Sequence, residues 1–442
     1  MKKNIVLGLI LFLGFNSALS AKEYKIKSAK DLEVLHLKPG DKVIMQVGEW
    51  KDQQLVFKGT GTKNQPVTLT SATPGSITLS GNSTLKIDGA WLVVDGLSFA
   101  NGYIDKGDVV LFSTKSTWCR LTNTAIVEYN NPDKTADYRW ISMNGFNNRV
   151  DHCFIKGKSH QGVTLTVWLS DKPNYHRIDH NYFGERPELG GNGGETLRIG
   201  NSTWSLHDSK TIIENNIFEH CDGELEAVSI KSCKNIIRNN LFYECKATLT
   251  LRHGNNSEVY GNYFIGNNKP GTGGIRIIAE GHNVHDNYLQ GITGKSVSAA
   301  ISIMAGLPNP ELKSHWQVKN ASIINNLIIN ATEPFSISAG YNPGRYLPPL
   351  NTIFSKNVIV TEHEPLKWND NKVEIEFKDN LIVGNSAFGE LPRGFAVQNI
   401  KLKKDQNGLY LRPDELAHEP FWKTEAIGPS WEKGMTEVFK IE

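Results

Sequence analysis

One short phrase of polar and apolar positions recurs along the chain: an Asn, an aromatic or aliphatic residue, then another apolar one. It runs Asn181-Tyr182-Phe183, Asn216-Ile217-Phe218, Asn240-Leu241-Phe242, Asn262-Tyr263-Phe264 and Asn287-Tyr288-Leu289, then Asn326-Leu327-Ile328, Asn357-Val358-Ile359 and Asn380-Leu381-Ile382. Upstream, Asp151-His152-Cys153-Phe154 parallels Asp179-His180-Asn181-Tyr182, with Cys153 in the Asn place. From Cys153 on, the intervals are 28, 35, 24, 22, 25, 39, 31 and 23 residues. A basal period of 22 to 25 with occasional insertions is the signature of a solenoid. Between the phrases lie short alternating runs such as Thr248-Leu249-Thr250-Leu251, which have strand period and strand length.

Helical repeats of this length would show long 3.6-residue periodicity without so many β-branched residues and Gly breaks. The pattern therefore predicts an all-β chain, a right-handed parallel β-helix with about three short strands per coil and the Asn residues stacked in an internal ladder. Solenoid ends need covering. Ser28-Ala29-Lys30-Asp31, followed by Leu32, Val34 and Leu35, predicts a capping box and a short helix that closes the N-terminal end. The phrase disappears after about residue 385, so the expected division is a β-helix over 21–385 and a Pro-containing segment over 386–442 packing on the last coils.

Composition narrows the function. With 48 basic and 46 acidic residues in 442, the net charge of +2 argues against a nucleic-acid binder that works by bulk charge. An anionic partner must be met by a local patch. Residues 1–20 read as an export signal: Lys2 and Lys3, an apolar run from Ile5 to Phe15, and small residues at Ala18-Leu19-Ser20. That run is too short for a membrane anchor, so a periplasmic or secreted chain is expected. Five cysteines without a paired CxxC support neither a disulfide scaffold nor a zinc site. Cys221 and Cys245 fall at matching places in successive coils, either bridged or as two buried thiols.

Four short runs align by the Asn phrase and each carries one cation among apolar residues: Arg198, Lys231, Arg252 and Arg276, at steps of 33, 21 and 24 residues. Alternation points each cation away from the core, which predicts a ladder on one face suited to a linear polyanion. The same face carries Glu224 and Glu226, two apart. Lys231 is an odd step beyond Glu226, so both can face outward only if the strand bends near Ala227. One coil earlier, Asn192 lies in Gly190-Gly191-Asn192-Gly193-Gly194, next to Glu195. Two carboxylates and an amide oxygen converging there would form a hard, all-oxygen site suited to Ca2+.

Cys221-Asp-Gly-Glu-Leu-Glu-Ala-Val-Ser-Ile-Lys-Ser-Cys233, followed by Thr248-Leu-Thr-Leu-Arg-His-Gly254, resembles polysaccharide lyase family 6, the right-handed β-helix family of chondroitinase B and alginate lyases. The resemblance spreads over most of the mature chain. It implies Asn192, Glu224 and Glu226 as calcium ligands, Lys231 as general base and Arg252 as general acid. It implies Arg198, His253 and Arg276 as substrate-binding positions. The implied reaction is β-elimination in a uronate polymer. The proton at C5 is removed, the bond at C4 breaks, and calcium absorbs the charge that develops on the uronate carboxylate. Lys231 must be neutral to accept that proton, and a nearby calcium and Arg252 disfavour its charged form.

The glycine-rich loop resembles that of the family's alginate members, which implies alginate over dermatan sulfate; the latter would need further cations for its sulfates. Tyr129, Trp140, Trp168 and Tyr341 are candidate sugar-stacking platforms. Two other classes stand beside the lyase. A pectin-degrading hydrolase would need paired carboxylates as acid and base, where this face offers Lys and Arg. A non-catalytic polysaccharide-binding solenoid would not need the bent Glu-x-Glu and Lys arrangement.

Overall fold

The computed structural model describes residues 21–370, 375–384, 388–413, 415, 419–432 and 439–441. The expected export signal lies outside these residues. The described chain winds into a right-handed parallel β-helix of three sheets with 14, 12 and 14 strands. Each coil between the two ends gives one strand to each sheet, and every strand pairs in parallel with its counterpart one coil away, as Leu241–Tyr243 does with Ile217–Glu219 and Tyr263–Ile265. Among the described residues the only α-helices are Ala29–Glu33 and Phe421–Thr424, and no helix is long and apolar enough to cross a membrane.

The repeated phrase explains the coil. The second apolar residue of each phrase points into one continuous core, where Phe183, Phe218, Phe242 and Phe264 stack at 5.0, 4.8 and 4.5 Å, while the first, such as Tyr182 or Leu241, faces outward. The Asn of the phrase fills the corner before that strand. From Asn181 to Asn380 each Asn Nδ2 donates to the Oδ1 of the next Asn at 2.9–3.0 Å. The same oxygen accepts the backbone N–H of the preceding rung, so the buried turn groups of successive coils satisfy one another. Cys153 ends the ladder by donating its N–H to Asn181 Oδ1 at 3.0 Å. The residue before each rung is left-handed, with φ of 55° at Asn215 and 53° at Asn239. Gly261 takes that place in the next coil, where a Cβ would lie 2.4 Å from Asn239 Oδ1.

Both ends are covered. Ser28 Oγ accepts from Asp31 N–H and Asp31 accepts from Ser28 N–H, the expected capping box, and Leu32 enters the core. At the other end the chain adds one more strand, Phe395–Gln398, to the third sheet. The tail then runs back over that sheet instead of resting on the last coils alone. Trp431 Nε1 donates to Asn123 O at 2.9 Å and Asn215 Nδ2 donates to Glu425 Oε2 at 2.6 Å. The reason is apolar: the outer face of this sheet carries Phe154, Tyr182, Tyr263 and Tyr288, and Tyr410, Phe421, Trp422 and Trp431 pack on it. All five cysteines are buried free thiols, so Cys221 and Cys245 are not bridged.

Candidate active site

The outer face of the 12-stranded sheet holds the candidate chemistry. Strands Leu197–Gly200, Glu226–Lys231, Thr248–His253 and Ile275–Ile277 lie side by side in it. The bend required near Ala227 is there as a bulge. Glu226 pairs with Thr248 and Val228 with Leu249, which leaves Ala227 as the extra residue and brings Glu226 and Lys231 to the same face. A second bulge leaves Arg252 extra, between the pairs Ile230–Leu251 and Lys231–His253.

The single ladder of four cations does not form. Arg198 is in register with Ser229, and Thr250 with Arg276, so two small hydroxyl residues separate the two arginines in one row. Lys231 lies two residues further along, opposite Gly200, and Arg252 stands on its bulge. Equal sequence steps do not give equal register, because turns and bulges absorb different numbers of residues. The cations instead border a cleft of about 400 Å³, which Asn192, Glu195, Ser202, Glu224, Glu226, His253, Lys313 and His315 also line. They are not solvated surface charges: side-chain exposure is 16% at Arg198, 18% at Lys231 and Arg252, and 7% at Arg276.

Glu195, Glu224 and Glu226 converge at the centre, with ligand oxygens within 4.8 Å of one another. Lys231 Nζ donates to Glu195 Oε1 at 3.1 Å, and Arg198 Nη1 lies 3.8 Å from the same oxygen. Glu226 Oε1 is 3.6 Å from Arg252 Nε and 3.4 Å from Arg276 Nη1, and Ser229 Oγ donates to its other oxygen. Burial opposes the charge on Glu195, but Lys231 and Arg198 outweigh it and hold its pKa below the usual carboxylate range. At Glu224 the support from Lys231 is outweighed. Burial, then Glu195 and Glu226, push its pKa up to about 8. Three crowded carboxylates, with Glu195 Oε2 buried and lacking a hydrogen-bond partner, fit a hard divalent cation.

Glu195 was legible only as a neighbour of Asn192. The structure makes it one of the three converging carboxylates, whereas Asn192 is exposed in the loop at the cleft's edge. His253 is buried and neutral, its pKa pushed down to about 3 by burial and by Arg252 and Lys231. Its Nδ1 faces Arg252 Nη1 at 3.5 Å and its Nε2 faces Ser202 Oγ at 3.4 Å. Burial also lowers the pKa of Arg252, against Glu226 and Glu224.

The aromatic expectations divide. Tyr129 and Trp140 are fully buried and cannot present a face to a sugar; Tyr129 OH donates to Gly81 O and Trp140 Nε1 to Tyr129 O. Trp168 is half-buried beside the cleft, with the guanidinium carbons of Arg139 and Arg198 5.8 and 5.6 Å from its ring centroid. Tyr341 is exposed. Lys313 and His315, which sequence reasoning missed, come from the 39-residue interval between Asn287 and Asn326. That long interval was their only signal.

Residues 26–420 match the Chondroitinase B family. No curated protein matches at a significant level. Among solved structures, the PL6 family alginate lyase AlyGC is 38% identical with a TM-score of 0.85, over 95% of this chain and 57% of that chain. This chain therefore spans little more than half the length of that relative. A mannuronic acid specific polysaccharide family 6 lyase from human gut microbiota is 32% identical with a TM-score of 0.79, over 95% of this chain and 98% of that one. A PL6 polysaccharide lyase from Pseudopedobacter saltans is 28% identical with a TM-score of 0.77, over 93% and 100%. With its fold shared over nearly its whole described length and its match running from residue 26 to 420, the chain belongs to the chondroitinase B family, polysaccharide lyase family 6.

Proposed function

We propose that this protein is an exported lyase that cleaves alginate by β-elimination, leaving a 4,5-unsaturated uronate at the new chain end. One observation carries the reading: an amine and a guanidinium, Lys231 and Arg252, lie against two members of a carboxylate triad on one sheet face, at 3.1 and 3.6 Å. Solvated charges have no reason to pack so closely, and a hydrolase needs two carboxyl groups as its catalytic pair, not an amine and a guanidinium.

Glu195, Glu224 and Glu226 would hold a Ca2+ ion, with Asn192 beside them in the glycine loop. When bound, the ion supplies a positive charge next to the uronate carboxylate on which negative charge develops. The remaining work falls to the chain. Lys231 as the free amine takes the proton from C5. The C5–H electron pair forms the C4=C5 double bond, and the C4–O bond breaks. Arg252 delivers a proton to the departing oxygen, and burial eases that transfer by lowering its pKa. His253, neutral and against Arg252, keeps the guanidinium in the cleft, while Arg198 and Arg276 engage carboxylates of neighbouring sugars.

Alginate is the substrate because the relatives of known activity at 38% and 32% identity are an alginate lyase and a mannuronic acid specific lyase. Incubation with alginate, dermatan sulfate and pectin, following absorbance of the unsaturated uronate, tests the reading. Absorbance should rise with alginate. A rise with dermatan sulfate alone would move the substrate, and reducing ends without the chromophore would replace elimination by hydrolysis.

A further inference from the structure

Two of the long intervals in the repeat place their extra residues at the cleft. The 35-residue interval from Asn181 to Asn216 carries the glycine loop. The 39-residue interval from Asn287 to Asn326 carries a loop over residues 305–318, between strands Ile301–Met304 and Ser322–Ile324. This second loop is braced. Leu307 N–H donates to His315 O at 2.9 Å, Gly306 and Leu347 exchange backbone hydrogen bonds, and Trp316 packs against Ile278, Ala279, Met304 and Ala339.

Its inner edge touches two cations of the cleft. The carbonyl oxygens of Lys313 and Ser314 lie 3.4 Å from Nη2 and Nη1 of Arg252. His315 Nε2 lies 3.1 Å from Arg276 Nη2. A guanidinium only donates, so His315 Nε2 is the acceptor and the ring is neutral. Burial, and then Arg252, Arg276 and Arg345, push its pKa down to about 3, which agrees. Without the loop, Arg252 and Arg276 would share one carboxylate oxygen, Glu226 Oε1, with only His253 Nδ1 beside Arg252 and Met304 Sδ beside Arg276. With it, each guanidinium has its own acceptor.

We propose that His315 is a positioning residue: by accepting from Arg276 it pins the 305–318 loop across the cleft, and so keeps the loop carbonyls on Arg252. This role rests on the lyase reading, in which Arg252 is the proton donor. It differs from a substrate contact, because its effect falls on turnover.

The test compares His315→Ala and His315→Gln with the wild type on alginate, separating kcat from KM, with an unfolding midpoint for each variant. His315→Ala should lower kcat by about tenfold or more, the scale of one hydrogen bond to a charged group, with KM changed less than about threefold. His315→Gln, whose Oε1 restores an acceptor, should return kcat to within about threefold of wild type. An undiminished kcat in His315→Ala overturns the role, as does a folded His315→Gln no better than His315→Ala. A wild type inactive on alginate, dermatan sulfate and pectin overturns the lyase reading and this role together. An active wild type confines every variant outcome to His315.

Discussion

Lys231 Nζ donates to Glu195 Oε1 at 3.1 Å, which joins the candidate base to a buried carboxylate of the triad. The two residues come from adjacent coils, 36 positions apart in sequence. The pairing makes Glu195 answerable to two partners at once, the lysine and a bound cation, and it sets the first expectation.

Glu195→Gln should weaken Ca2+ binding by about 10- to 100-fold, because a buried anionic ligand becomes neutral while its neighbours stay in place. Titration calorimetry with Ca2+ alone reads this without turnover. Exhaustive chelation of the wild type should abolish most activity and added calcium should restore it. Unchanged calcium affinity in the variant would remove Glu195 from the site.

Removing the proposed base or acid should stop turnover while the polymer still binds. Lys231→Ala is expected to lower kcat by at least about 10²-fold, the usual share of a general base. Arg252→Ala should lose a comparable factor. The double variant should be scarcely worse than either single one, because residues acting as one unit are not additive. Near-normal kcat with weakened binding in Lys231→Ala would reduce that lysine to a binding contact.

Arg198 stands at the cleft wall beside Trp168, away from the Glu226 cluster. Arg198→Ala should weaken alginate binding by about tenfold at low salt, and by less as salt rises and screens the lost contact. Affinity measured at two ionic strengths checks both halves. Equal affinity at low salt would show that Arg198 serves only Glu195.

Acid should destabilise the fold through histidines buried as neutral acceptors. His176 Nδ1 accepts from Asn148 N–H and His282 Nδ1 from Ser257 N–H. Burial pushes their pKa values down to about 3 and about 4. In the unfolded chain both titrate near about 6.5, so below that pH the unfolded state takes up protons that the folded state does not. Stability is therefore lost as pH falls, by about 1.4 kcal/mol per pH unit for each histidine until its folded pKa is reached. Urea midpoints at pH 7 and pH 5 should show the drop, and His176→Asn should make it shallower. A midpoint independent of pH over that range would contradict the account.

The Asn ladder offers a second stability test. Asn262→Ala leaves Asn240 N–H and Ile237 O without their side-chain partners in the core and should cost at least about 2 kcal/mol. A denaturation midpoint unchanged from wild type would mean that water replaces the amide.

The coil, the ladder and the N-terminal cap follow from sequence because each rests on a short, repeated, local requirement. Every corner buries the same backbone groups, so the same residue type recurs at Asn216, Asn240 and Asn262, and Ser28 and Asp31 satisfy one another within a single turn. The bulge at Ala227 also follows, since an odd step cannot otherwise place Glu226 and Lys231 on one face. What the linear order could not decide is how outward residues of different coils meet. Register depends on how many residues each turn and bulge absorbs, which put Ser229 beside Arg198 and set Arg252 on its own bulge. Burial of Tyr129 and Trp140 depends on groups tens of residues away, such as Gly81 O for Tyr129. The roles of Glu195 and His315 arise only where separate coils and an inserted loop converge on one cleft. No local pattern records that convergence, because the partners share no fixed spacing along the chain.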